Sequence, residues 1–347
     1  MNKLKYWLVG IFLIGLFTLS GVGSYASELK FSVEPVLPDN QLDNKNTYFD
    51  LMVKPEQKQT LVIHMRNDTD KEVVVEPKIH AATTNINGVV EYGESNTTLD
   101  ETAPFDLAKL VVPEEKEVKI PAKSTHDLKM TVQMPKEAFK GMLAGGITLQ
   151  EKEQKQEKES KKKEEQGLAI ENKYAYVVAI VLQESKDKVA QKLSLETVKP
   201  DQVNARNVIN ATLKNPEPTY INQLSVKAKI TKKGEKESLY TSEKKEMQMA
   251  PNTSFAYPIA LKGERLEPGK YTLEMQATSS KEKWSFTKDF EIKAETAKKL
   301  NDKDVTIQKN DNLWLYSSLI ILIVFVIILL GILIYQKKKT KGPKSSN

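Results

Sequence analysis

The sequence contains no cysteine among its 347 residues. This absence excludes disulfide frameworks, zinc sites with cysteine ligands, iron–sulfur clusters and thiol nucleophiles. The long central part of the chain also has almost no net charge. Two basic residues lie in 1–26 and five lie in 313–347, with no acidic residue in either range, so 27–312 hold 45 basic and 46 acidic residues. A global electrostatic argument for a nucleic-acid partner is therefore excluded, although a local basic patch is not.

Motifs of catalysis are missing as well. The chain has no Gly-x-Ser-x-Gly elbow and no glycine loop that would cradle a phosphate. The three histidines, His64, His80 and His126, lie on separate predicted strands or at strand ends. They form a metal site only if those strands adjoin, whereas histidines on the polar face of a strand are usually just solvated. We expect no enzymatic activity, no metal and no cofactor, with a wall-modifying hydrolase as the alternative of another class.

The two ends of the chain have the patterns of export and membrane anchoring. Residues 1–26 begin with Lys3 and Lys5 and continue with an apolar run and small residues, which predicts a signal peptide, or alternatively an uncleaved anchor. As a helix, 313–335 would be about 34 Å long, enough to cross a hydrocarbon layer of about 30 Å. The lysine-rich tail 336–347 predicts a cytoplasmic C-terminus. We therefore expect a single-pass cell-membrane protein whose N-terminal ectodomain faces the cell wall of a Gram-positive bacterium.

Between these ends, short runs of alternating apolar residues predict β-strands nearly throughout. Leu61, Ile63 and Met65 share one face of such a run, and residues 207–213 repeat the pattern. Many short strands with one apolar face each, separated by turns, are typical of antiparallel sandwiches. We predict an all-β fold with two tandem Ig-like antiparallel β-sandwiches, plus one C-terminal transmembrane helix.

The domain boundaries follow from shifts in composition. The first sandwich is predicted at 28–150 and the second at 167–297, with a polar stalk at 298–312. Residues 151–166 are almost only Glu, Lys and Gln, a composition that solvation alone explains. This tract is either an interdomain linker or a loop within the first sandwich. Because apolar runs flank it on both sides we favour the loop, in which case 168–184 supply the last strand of the first sandwich.

The first half carries an extra segment, roughly 83–112, that the second half lacks. Insertions on a β scaffold often carry function, because loops tolerate change while strands hold them in place. The segment has short amides at a tight turn and an aromatic residue beyond it, and sugars are bound by such amides and aromatic faces. The alternative is that Asn and Gly stand there because the turn needs positive φ. The residues predicted to line a glycan or partner surface are Asn40, Gln41, Asn85, Asn87 and Tyr92.

Several short motifs carry a resemblance to a known family. They are Phe31-Ser-Val-Glu-Pro35, Pro38-Asp-Asn-Gln41, Tyr48-Phe-Asp-Leu51, Met134-Pro135 and Gly145-Gly-Ile147, together with the Thr84–Tyr92 loop. With the order of signal peptide, two β domains, one span and a Lys-rich tail, they resemble the WxL-interacting proteins of Gram-positive bacteria. Asn172-Lys-Tyr-Ala-Tyr176 is similar to the start of that family's second domain. The departures, Pro55-Glu56 in place of Pro-Gly and a long 151–166 tract, concern loops.

The resemblance implies a function that the alternation of apolar residues does not indicate. In that family the first domain is associated with peptidoglycan binding, the second with binding of host components, and the partners are secreted WxL-domain surface proteins. We therefore expect a membrane-anchored scaffold at the cell wall. The alternative is an adhesin that binds a host matrix protein, such as collagen or fibronectin, through its second domain.

Overall fold

A computed structural model of the chain describes residues 30–152, 174–280, 282–307 and 313–339. The described residues form two β-sandwiches, three α-helices and a short β-hairpin. The predicted all-β class with two Ig-like sandwiches and one C-terminal apolar helix is confirmed. The predicted signal peptide, 1–26, lies outside the described residues, as does most of the lysine-rich tail.

Two sheets face each other in the first sandwich, and a two-stranded hairpin belongs to its insertion. The strands are β1 (Phe31–Val36), β2 (Phe49–Met52), β3 (Lys58–Asn67), β4 (Val73–Ala81), β5 (Thr83–Thr84), β6 (Val90–Glu91), β7 (Val111–Pro113), β8 (Val118–Ile120), β9 (Ser124–Gln133), β10 (Met142–Glu151) and β11 (Ala175–Gln183). One sheet has the order β1-β3-β9-β7 and the other β2-β11-β10-β4-β8, while β5 pairs with β6. Leu61, Ile63 and Met65 of β3 are fully buried between the sheets, as their alternation predicts.

Strand β11 lies inside the five-stranded sheet of the first sandwich. It pairs antiparallel with β10 along its whole length and parallel with β2 on its other side. Val178, Ile180 and Leu182 of β11 are buried in the first core. Residues 175–183 thus belong to the first sheet, and the first strand of the second sandwich begins at Ser194. The charged tract 151–166 lies outside the described residues from 153 onward.

The second sandwich has seven strands and a separate core. The strands are β12 (Ser194–Val203), β13 (Arg206–Asn215), β14 (Ile221–Lys232), β15 (Tyr240–Met249), β16 (Thr253–Ala260), β17 (Gly269–Ser279) and β18 (Glu282–Ile292). They form sheets of order β12-β13-β16 and β15-β14-β17-β18. Tyr257 is the largest side chain buried between them. Its hydroxyl and that of Ser242 are 2.9 Å apart, so the polar end of the ring is paired.

A buried asparagine closes the corresponding strand in each sandwich. Asn67 ends β3 and Asn215 ends β13, and neither side chain is exposed. In each case Nδ2 donates to the carbonyl oxygen four residues later, from Lys71 and Thr219 respectively, and to a second carbonyl more than thirty positions away. In both sandwiches a buried asparagine side chain thus connects a turn to a neighbouring segment. Its amide is fully hydrogen-bonded, as buried polar groups usually are.

The stalk predicted for 298–312 overlaps a helix in its first residues. Residues Ala294–Lys303 form a helix, α2, that packs on the second sandwich. Asn301 of this helix is buried, accepts a hydrogen bond from the Leu266 amide at 2.8 Å and donates to the Leu266 carbonyl at 2.9 Å. Asp304 accepts from the Asn207 amide at 2.7 Å. The polar composition that predicts a free stalk is explained by these buried partners.

An apolar helix ends the described part of the chain. This helix, α3, covers Leu313–Lys339, and its stretch Ser317–Ile334 is long and apolar enough to cross a membrane. It includes the predicted span, 313–335, and continues into the first lysines of the tail.

Candidate functional site

The inserted segment of the first sandwich joins the two domains. The hydroxyl oxygens of Thr84 and Thr253 are 2.7 Å apart and buried. The Ala250 amide donates to Oγ1 of Thr84 at 3.0 Å, and the Gln248 amide donates to the Gly88 carbonyl at 2.7 Å. The β5–β6 hairpin thus adds main-chain and hydroxyl bonds to the edge of the second sandwich.

Asn85 organises the turn of this hairpin. Its Oδ1 accepts from the amides of Asn87 and Val89 at 2.9 and 3.2 Å, and its Nδ2 donates to Glu91 at 2.6 Å. Gly88 has φ +72, and a Cβ atom on it would lie 2.6 Å from Met247. The turn chemistry considered as the alternative to sugar binding is therefore present at Asn85 and Gly88. Asn87 is the exposed amide of the turn.

Asn40 and Gln41 lie at another place, beside β2. Nδ2 of Asn40 donates to the Met52 carbonyl at 2.8 Å. Gln41 donates from Nε2 to the Tyr48 carbonyl at 3.0 Å, and its Oε1 accepts from the Asp50 amide at 3.1 Å. Both side chains therefore hold the 38–50 loop in shape.

Three tyrosines and a carboxylate gather where this loop approaches the second sandwich. The hydroxyls of Tyr92 and Tyr220 are 3.2 Å apart, and Oδ1 of Asp50 accepts from Gln183 at 3.0 Å. Burial raises the pKa of the Tyr220 phenol well above its ordinary value, and Tyr92, Tyr48 and Asp50 add to this increase. Burial and then Asp50 also raise the pKa of the Tyr48 phenol. The phenols of Tyr48 and Tyr220 are thus neutral hydrogen-bonding groups at pH 7.

The chain returning from the hairpin is fixed to the second sandwich by a second set of polar contacts. Nζ of Lys214 lies 3.1 Å from Oδ1 of Asp100, and both side chains are only 15% exposed. Nδ2 of Asn252 donates to the Thr102 carbonyl at 3.0 Å. The pKa of Asp100 is lowered, because hydrogen bonds from Thr102 and Lys214 outweigh the raising effect of burial. This return segment, 95–106, therefore has a defined position over the domain junction.

A cleft of about 260 Å³ lies beneath the return segment. Its first-domain wall contains His80 and Ala144 of the five-stranded sheet, Leu99 of the return segment and Leu107, while Ser254 belongs to the second sandwich. Leu107 opens a one-turn helix, α1 (Leu107–Leu110), which Asp106 caps by accepting from the Ala108 amide. The cleft therefore combines hydroxyl groups with small apolar surfaces and is shared by two domains.

His80 lines the cleft and has a buried ring nitrogen without a hydrogen-bond partner among the described residues. Burial lowers the pKa of the imidazole, with the charge of Lys78 acting in the same direction and Glu94 opposing it. The ring is neutral at pH 7, and its Nε2 atom is enclosed by the protein.

The other two histidines have carboxylate partners of their own. His64 pairs with Asp127 on the exposed side of the first sandwich, and His126 pairs with Glu115 at 2.8 Å. Among the described residues, no three His, Cys, Asp or Glu side chains are grouped so that they could hold a metal ion.

Of the predicted binding residues, only some are brought toward one another. Tyr92 lies near the loop held by Asn40 and Gln41, through its proximity to Tyr48, whereas Asn85 and Asn87 lie at the hairpin turn. Sequence patterns give no signal for Tyr220 or for the cleft at His80. Both depend on contacts between residues more than a hundred positions apart.

Comparison with protein families finds two matches. Residues 31–151 match the model described as the peptidoglycan binding domain of WxL Interacting Protein, and residues 165–302 match the host binding domain of the same protein. The second match begins before β11, although the hydrogen-bond register places β11 in the first sheet. Nine consecutive residue pairs connect β11 to β10, so this strand is structurally part of the first sandwich.

A comparison with curated proteins finds no match. Among solved structures, the YadV chaperone is similar at 8% identity and a TM-score of 0.28, over 76% of this chain and 100% of that chain. The class 5 fimbriae chaperone CfaA is similar at 10% identity and a TM-score of 0.30, over 75% of this chain and 98% of that chain. The E. coli chaperone DraB is similar at 16% identity and a TM-score of 0.27, over 76% of this chain and 98% of that chain.

Proposed function

Because the chain belongs to the WxL-interacting protein family, we propose that it is a membrane-anchored, non-enzymatic scaffold at the cell surface. Its first domain binds peptidoglycan, and the assembly binds a secreted WxL-domain protein at the cell wall. The observation that carries this proposal is the match of 31–151 to the family's peptidoglycan-binding domain. The nearly neutral ectodomain supports recognition by shape, stacking and hydrogen bonds.

The anchor in this proposal is helix α3. Its apolar stretch, Ser317–Ile334, has the length of a membrane span, and the lysines that follow it favour a cytoplasmic C-terminus. The two sandwiches then face the cell wall.

The predicted binding residues enter the proposal in two roles. Asn87 is exposed and offers its amide to a ligand, and the ring of Tyr92 is partly exposed beside Tyr48. Asn40, Gln41 and Asn85 shape the surface around them through the hydrogen bonds described above.

Retention of the full-length protein on purified cell wall tests the proposal. We expect the protein in detergent to sediment with wall sacculi and to bind a WxL-domain protein from the same cell surface. Replacing Asn87→Ala should weaken wall retention while leaving the unfolding temperature nearly unchanged, because this residue is exposed. Loss of both wall and partner binding in the wild type would refute the proposal, and release of soluble muropeptides would instead indicate a hydrolase.

A second candidate function is adhesion to host matrix protein. The match of 165–302 to the family's host-binding domain favours it. Collagen and fibronectin, immobilised separately, are suitable probes for the full-length protein. Binding to either one without any retention on cell wall would make the adhesin the better description.

A further inference from the structure

Most edges of the four large sheets have a feature that hinders the addition of another strand. Strands β2, β7 and β8 have only three or four residues, and β1, β12 and β16 contain Pro35, Pro200 and Pro258. The register of β15 is shifted against β14, and its Gln248 amide is bonded to the inserted hairpin. Short strands, prolines and bulges are the usual means by which proteins keep an edge from pairing with another chain.

Strand β18 is the remaining edge and has none of these three features. It is 11 residues long, contains no proline and pairs with β17 in consecutive register without a bulge. No strand among the described residues pairs with its other side. The charge that points inward from its middle, Lys288, is already bonded through Nζ to the Glu196 carbonyl at 2.8 Å. The free side of β18 therefore offers a long, regular row of main-chain donors and acceptors.

Apolar surface accompanies these main-chain groups. Trp284, Phe286 and Phe290 pack against the second core but are only partly buried. Phe290 also stacks on Tyr271, with 5.5 Å between the ring centroids. Because the three rings lie on the side of β18 that faces the core, a strand added to the edge would cover their exposed parts. The edge thus suits a partner strand that has large apolar side chains at alternate positions.

The charges of β18 favour a second copy of the same strand as this partner. On its exposed face Lys283 lies near the start of the strand and Glu291 near the end. In an antiparallel pair centred on Thr287, Lys283 of each copy lies opposite Glu291 of the other. The same register places Trp284 opposite Phe290. Opposite charges and aromatic rings that face each other directly stabilise an antiparallel pair, whereas a parallel pair would bring like charges together.

We infer that the chain forms a symmetric homodimer in which β18 pairs antiparallel with β18 of a second copy. The two four-stranded sheets then become one sheet of eight strands. Such an interface uses the same surface on both copies, so it closes on itself without growing into a filament. The inference is independent of the ligands in the proposed function.

Single cysteines in this cysteine-free chain test the geometry. Thr287→Cys lies on the symmetry axis of the dimer, where the two Cα atoms would be about 4.5–5.5 Å apart, within the range of a disulfide. Glu274→Cys is the matched control, because Glu274 is exposed and lies opposite Thr287 on β17. Its two copies would be separated by three strand spacings, about 14 Å. We expect full-length Thr287→Cys in detergent to oxidise to a covalent dimer at least about tenfold faster than Glu274→Cys.

Charge reversal tests the register. Lys283→Glu alone, or Glu291→Lys alone, places like charges opposite each other at two symmetric positions. Each should weaken the dimer about tenfold in analytical ultracentrifugation, and the double variant should return it to the strength of the wild type. Lys236→Glu, at an exposed position between β14 and β15, changes the net charge equally and should have no effect. Thermal unfolding identifies any variant that fails to fold.

Equal oxidation of the two cysteine variants, a monomer at all concentrations, or no rescue by the double charge variant would overturn the inference. Capture of an unrelated polypeptide by β18 in place of a second copy would overturn it as well. Each of these results leaves the proposed wall binding unaffected, since that is measured separately by retention on cell wall.

Discussion

Two adjacent glycines in β10 allow other segments to approach this strand on both faces. A Cβ atom on Gly146 would lie 2.3 Å from the Tyr92 carbonyl oxygen, and one on Gly145 would lie 2.2 Å from Leu107. No side chain fits at such distances, so the inserted segment lies directly on the sheet. The pair of glycines in Gly145-Gly-Ile147 thus has a physical reason in close packing.

Replacing Gly146→Ala should push the inserted segment away from the sheet. We expect a loss of about 1–3 kcal/mol in the free energy of unfolding, and faster proteolysis within 83–105. Gly93→Ala is the control, because its nearest neighbour, Val177, would be an ordinary 3.8 Å from the new methyl. Denaturant unfolding of both variants measures the effect. Equal stability of the two would show that the close contact at Gly146 is easily relieved.

The ion pair between Asp100 and Lys214 should make the domain junction sensitive to acid. The pKa of Asp100 in the folded protein is below its ordinary value of 3.8. The folded state therefore binds this proton less tightly than the unfolded chain, and its contribution is complete above the ordinary pKa and lost as the pH falls through the folded one.

Asp100→Asn should lower the free energy of unfolding by about 1–3 kcal/mol near neutral pH. The difference from the wild type should shrink below a pH of about 3.8. Urea titrations over this pH range measure it, with Asp302→Asn, at an exposed site on α2, as the control. A difference that stays constant with pH would contradict the assignment.

At the level of strands and helices, sequence patterns predict local features such as the buried face of a strand. They do not predict contacts between residues that are far apart in the chain. Alternation along β3 and β13 predicts their buried faces, and Asn67 and Asn215 end those strands as turn signals suggest. The packing of α2 could not be predicted, because the partners of Asn301 are at Leu266 and Asn207. Likewise, nothing in the pattern around Thr84 indicates Thr253 as its partner.

The position of β11 changes where the first domain ends. Its residues Val178, Ile180 and Leu182 contribute about 1.5–3 kcal/mol each by burial, an amount comparable in sum with the stability of a whole domain, about 5–15 kcal/mol. A fragment 28–150 should therefore unfold without cooperativity, whereas 28–186 should unfold cooperatively. Thermal melts followed by circular dichroism, with dispersed NMR amide signals as a second criterion, distinguish the two. A folded 28–150 fragment would show that β11 is dispensable.

At the scale of the whole molecule, little chain separates the second sandwich from the apolar helix α3. Five residues, 308–312, lie between Ile307 and Leu313. Fully extended, this connection spans no more than about 20 Å. With α3 as the proposed membrane anchor, the second sandwich would be held close to the bilayer, and Val305, which is 70% exposed, lies eight residues before α3.

Distance measurements in liposomes test this arrangement. The absence of cysteine allows single labels at Val305→Cys and Asn87→Cys. Energy transfer to acceptors on lipid headgroups should be higher from position 305 than from position 87. An insertion of about 20 Gly and Ser residues after 310 should lower transfer from 305 without changing the unfolding temperature. Equal transfer from both labels would contradict the proximity.

The place of β11 in the sheet also has a consequence for biogenesis. In a chain that is translocated from its N-terminus, β2 and β10 emerge before the strand that joins them. The first core stays open until Gln183 has left the export channel, and the unpaired edge of β10 is exposed meanwhile to pairing with other chains. If the chain is exported as proposed, the first domain is completed late, after more than half of the chain has crossed.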